Sequence, residues 1–126
     1  MFQNTATFSS FSVDDLRASS AFYGGVLGVK VLEEKEGLSL ALTGTKVFIY
    51  PKPNHTPANF TVLNFAVPDV EQAVDQLIGR GVRFEQYAGE DLQTDAKGIC
   101  RSSGGPPIAW FKDPAGNILS VVEANM

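Results

Sequence analysis

The chain repeats itself. Phe11-Ser12-Val13-Asp14-Asp15-Leu16 lies over Phe65-Ala66-Val67-Pro68-Asp69-Val70 at an offset of 54, and Gly28-Val29-Lys30-Val31 lies over Gly81-Val82-Arg83-Phe84 at an offset of 53. Each half reads strand, helix, then three strands. A half of about 55 residues is marginal by itself, whereas two related by pseudo-symmetry bury a shared core. The expectation is an α+β fold of two pseudo-symmetric βαβββ modules within a single domain, 1–126. Module one covers about 6–51, a linker about 51–58, and module two about 59–124.

Local pattern supports this order. Residues 6–13 (ATFSSFSV) alternate as a strand, with Ser9, Phe11 and Val13 on one face and Phe8, Ser10 and Ser12 on the other. Asp14 or Asp15 caps a helix in which Leu16, Tyr23 and Leu27 recur at helical spacing, ending at Gly28. Gly24-Gly25 costs about 1 kcal/mol per glycine, so the last turn is expected to be irregular. Strands follow over residues 29–33, 38–42 and 46–50. Pro51, Pro53 and Pro57 then remove donors and fix φ, which makes that stretch the linker. Residues 59–67 form the next strand, and Asp69 caps an amphipathic helix carrying Val70, Ala73, Val74, Leu77 and Ile78. Residues 82–87 read as a strand. Residues 88–107 form a long polar loop, either a lid or binding segment hinged at Gly104-Gly105, or a disordered stretch or irregular strand. The chain closes on residues 108–123, a hairpin whose tip is Asp113-Pro114-Ala115-Gly116-Asn117.

The paired modules, the Asp-Pro-Ala-Gly-Asn turn, Val13-Asp14-Asp15-Leu16, Ala21-Phe22-Tyr23 and Val26-Leu27-Gly28 together resemble the vicinal oxygen chelate superfamily. That superfamily holds glyoxalase I, bleomycin and fosfomycin resistance proteins, and extradiol dioxygenases. The resemblance spans residues 8–123 and implies a curved mixed β-sheet cup with helices outside, and a homodimer. It also implies a divalent metal, held at positions that fall here on Phe8, Phe48, Val62 and Ser120. Those side chains cannot build a divalent site, which needs imidazole, carboxylate or comparable donors. The expectation is therefore no metal and no cofactor.

Alternation from the same positions predicts the lining of the cup: Phe8, Ser10, Ser12, Phe48, Tyr50, Val62, Asn64, Ala66, Ile108, Trp110, Ser120 and Val122. This mostly apolar, aromatic set with a few hydroxyls and one carboxamide has the composition of a small-molecule pocket. The alternative is that the aromatics fill the space themselves and leave no ligand-sized cavity. Glu123 falls on the face opposite Ser120 and reads as non-ligating. His55, the one histidine, is either a displaced ligand or base, or an exposed loop residue; the second reading is preferred because no partners surround it in sequence.

Composition narrows the partners. Net charge is −4 with scattered basic residues, which argues against nucleic acid. No apolar run approaches the roughly 18 residues of a membrane span. Residues 1–10 lack the basic and apolar parts of a secretory signal, and the single Cys100 suits a reducing compartment, so a cytoplasmic location is expected. Cys100 itself reads as an inert thiol rather than a nucleophile. The leading function is metal-independent binding of a small apolar or aromatic molecule. A lyase or dioxygenase with an unrecognised site, or a non-catalytic dimeric scaffold, is the alternative.

Overall fold

Phe11 and Val13 are buried on one face of β1 (Ser9–Val13), while Ser10 is exposed and Ser12 half-buried on the other. The computed structural model of the chain, which describes residues 1–101 and 104–126, divides into two compact units, Met1–Pro57 and Ala58–Met126.

In the first unit the Asp15 carboxylate accepts from the Arg17 and Ala18 N–H groups and starts α1 (Leu16–Ser20). The helix does not continue as an α-helix. Residues Ala21–Val26 wind as a π-helix, closed by Leu27 N–H donating to the Phe22 carbonyl at 2.9 Å. The glycine pair thus loosens the whole second half of the helix rather than its final turn. Gly28, at φ 71°, reverses the chain into β2 (Lys30–Glu34), β3 (Gly37–Leu42) and β4 (Thr45–Pro51). The sheet order is β1-β4-β3-β2, with β1 parallel to β4 and the other pairs antiparallel. Tyr23 is fully buried with its ring 6.2 Å from Phe11, and Leu38, Leu40, Val47 and Ile49 are buried along the same alternation. Burial of each such side chain contributes roughly 1.5–3 kcal/mol.

The second unit repeats the order with β5 (Thr61–Val67), α2 (Val70–Gly79), β6 (Ile99–Cys100), β7 (Ile108–Lys112) and β8 (Ile118–Glu123). Its sheet runs β5-β8-β7-β6, with β5 parallel to β8. Asp69 caps α2 through Gln72 N–H, and the Glu123 carboxylate accepts from Val70 N–H at 3.1 Å. The closing turn is built around the buried Asp113, whose carboxylate accepts from the Ala115 and Asn117 N–H groups and from the Asn117 side-chain amide.

One strand is placed differently from the sequence reading. Residues 82–87 form no strand; Phe84 makes a single bridge to Phe111, with Glu85 N–H donating to the Trp110 carbonyl. The sheet's fourth strand is instead β6, from within the expected loop. Gly98, at φ 87°, allows this, because a Cβ there would stand 2.8 Å from the Phe84 Cβ. Tyr87 and Thr94 exchange hydrogen bonds, and Asp95 accepts from Lys97 and Ile99, so most of the loop is a built connection. Ser102 and Ser103 of the expected lid lie outside the described residues. Among the described residues no helix is long and apolar enough to cross a membrane.

Candidate functional site

The face of each sheet opposite its buried alternation carries the residues expected to line the cup. In the first unit, strand register sets Ser10 and Ser39 on either side of Phe48, and Ser12 beside Tyr50. The Phe48 and Tyr50 rings stack at 6.5 Å and 16°. Phe8, just ahead of β1, leaves 66% of its surface exposed. Together with Glu34, Lys35, Glu36, Ser39 and Lys46, Phe8 and Phe48 line a cavity of about 480 Å³.

Two polar features of this face escaped the sequence reading. The buried Ser39 donates to Glu34 Oε1 at 2.9 Å, fixing a carboxylate at the cavity edge. The turn at residues 43 and 44 sets Ser39 of β3 opposite Phe48 of β4, so the same alternation extended to β3 reaches this residue. The second feature is His55, which is half-buried rather than exposed. Its Nδ1 lies 2.7 Å from Ser12 Oγ. Because β1 and β4 are parallel neighbours, the chain leaving β4 passes over Ser12, and His55 N–H bonds to the Lys52 carbonyl in a turn. A contact across 43 residues leaves no local pattern to read.

In the second unit Asn64, Ser120 and Trp110 form one row across β5, β8 and β7, and Ala66, Val122 and Ile108 form the next. Ser120 is fully buried and donates to Asn64 Oδ1 at 2.5 Å. Tyr87 meets Trp110 edge-on, with centroids 5.8 Å apart. Val62 is the extra residue where the β5–β8 register shifts, so alternation from Asn64 does not set its face.

The donor set does not suit a metal. Phe8 and Phe48 offer aromatic carbon, Val62 a bulged aliphatic side chain, and Ser120 a hydroxyl already bonded to a carboxamide. Among the described residues no three His, Cys, Asp or Glu side chains converge. Glu123 is engaged at the start of α2, and Cys100 is buried. No chemical step is therefore assigned to a metal here.

Known structures share this architecture. The glyoxalase family protein from Enterococcus faecalis aligns at a TM-score of 0.71 and 23% identity, covering 98% of this chain and all (100%) of its own. The bleomycin resistance determinant encoded on transposon Tn5 aligns at 0.71 and 18%, covering 97% and 100%. TnmS3, an antibiotic binding protein from Streptomyces sp. CB03234, aligns at 0.64 and 21%, covering 98% and 99%. These likenesses establish the fold. No curated protein sequence matches the chain. The model of one family matches residues 6–121, and on that match the chain belongs to the Glyoxalase/Bleomycin resistance protein/Dioxygenase superfamily.

Proposed function

We propose that this protein binds a small, largely apolar or aromatic molecule on the open faces of its sheets, without a metal. The observation that carries the reading is the cavity of about 480 Å³ bordered by Phe8 and Phe48. Its size falls in the range of ligand sites, and the exposed Phe8 and half-buried Phe48 gain by covering a flat apolar guest. The antibiotic-binding role named for TnmS3 is a compatible precedent on the same fold. In this reading Phe8, Ser10, Ser12, Phe48 and Tyr50 serve a site on the first unit's sheet, and Val62, Asn64, Ile108, Trp110 and Ser120 serve the corresponding face of the second unit's own sheet. Pairing of two chains into a homodimer and a cytoplasmic location belong to the same proposal.

The gross gain is modest. A ring system that removes about 200 Å² of apolar surface from water gains about 5 kcal/mol before the costs of association. Affinity no tighter than about the millimolar range is therefore expected for a simple aromatic.

The test is a fluorescence titration with N-phenyl-1-naphthylamine, a neutral aromatic that brightens in apolar sites. Saturable binding near one probe per chain, weakened at least tenfold in Phe48→Ala with an unchanged circular dichroism spectrum, supports the reading. Unsaturable signal, or equal binding by the variant, sinks it.

A further inference from the structure

We infer that the preferred ligand at the Phe8–Phe48 cavity is an organic cation, an arylalkyl or alkyl primary amine in its ammonium form. The inference rests on the small-molecule reading above and adds the charge of the guest.

The cavity carries four charged side chains, Glu34, Lys35, Glu36 and Lys46, and among the described residues none of them is ion-paired. Formal charge at the rim is thus balanced, and the choice of guest falls to geometry. Only Glu34 is held by a buried group. Ser39, 2% exposed, donates to Glu34 Oε1, and Glu34 Oε2 accepts no hydrogen bond among the described residues. Lys35 and Glu36 stand in the β2–β3 turn, and Lys46 ends in an exposed ammonium on β4. A long lysine side chain must lose rotamer freedom to meet an anion, whereas the anchored carboxylate has already lost part of it.

The walls reinforce the choice. Phe8 and Phe48 line the cavity, and the quadrupole of a phenyl face attracts a cation and repels an anion. An ammonium placed between Glu34 Oε2 and a phenyl face gains a charge-assisted hydrogen bond and a cation–π contact together. The net charge of −4 adds a long-range bias in the same direction.

The experiment compares three isosteric naphthalenes by calorimetric titration at pH 7: 1-naphthylmethylammonium, 1-naphthylmethanol and 1-naphthoate. The ammonium is expected to bind about tenfold tighter than the alcohol. That advantage should shrink in 0.5 M salt and disappear in Glu34→Gln, whose affinities for the ammonium and the alcohol should converge while its circular dichroism spectrum stays that of the wild type. Lys46→Gln should leave the ranking intact. Equal binding of alcohol and ammonium, or tighter binding of the carboxylate, overturns the inference while leaving the small-molecule reading in place. Failure of all three to bind overturns both.

Discussion

Glu123 on β8 accepts a hydrogen bond from the backbone N–H of Val70, 3.1 Å away at the start of α2. The carboxylate that closes the chain thus caps a helix 53 residues upstream and stands on the opposite alternation from Ser120. Its negative charge satisfies an orphan donor and complements the positive end of the helix. Glu123→Ala is expected to lower stability by about 1 kcal/mol in urea titrations, with probe binding unchanged. A normal stability with impaired binding would place Glu123 in the ligand site instead.

Gly37 meets the wall of the cavity directly. A Cβ there would collide with the Ile49 carbonyl oxygen and stand 2.9 Å from Phe48 Cζ. Gly37→Ala should therefore displace β3 from β4 and cost about 2 kcal/mol. It should also alter probe affinity, because the Phe48 ring must move. Wild-type stability and affinity in this variant would show that the ring packs elsewhere.

The Ser12–His55 pair ties the proline-rich segment to β1. Ser12→Ala removes one side of a half-buried hydrogen bond and should cost about 1 kcal/mol. Amide exchange at His55 and its neighbours should rise, while exchange in β1 stays slow. Unchanged exchange after Pro51 would mean that the backbone bonds of Lys52 and His55 hold the segment without the side chain.

Lys97 has its pKa raised, first by the hydrogen bond from its ammonium to Asp75, which outweighs an opposing desolvation, and then by the charges of Asp75, Glu71 and Asp95. Folding thus favours the protonated form. This contribution is complete below the ordinary lysine pKa and is lost as pH rises through the higher folded value. In an NMR titration Lys97 should deprotonate at lower pH in Asp75→Asn than in the wild type. Identical curves would mean that the exposed pair is too mobile to count.

Much of the fold was legible because the repeat, the caps and the strand alternation are local patterns. Asp69 and the Asp113–Asn117 turn act through neighbours two to four residues away, within reach of motif reading. The fourth strand of the second sheet was not legible. Residues 82–87 have strand composition, but Phe84 spends its burial on Phe111 across a single bridge, and Gly98 lets Ile99–Cys100 take the edge. Tertiary packing overrode local propensity there. The same limit applies to the site. The aromatic face follows from period two, whereas Ser39–Glu34 and Ser12–His55 depend on strand register and on a chain reversal.

Elemental analysis after dialysis against zinc, nickel, manganese and iron(II) should find no ion retained at one per chain. The donors at Phe8, Phe48, Val62 and Ser120 offer too little to hold one. Stoichiometric retention would point to a ligand set that includes His55 or Glu123.

The most direct test is an NMR titration of chelator-treated protein with 1-naphthylmethanol, following the ring protons of Phe8 and Phe48. The expected result is saturable shifts of both rings, complete near one ligand per chain and unchanged by added zinc. Shifts that appear only after zinc is added, or that leave both rings unmoved, would contradict metal-free binding at this face.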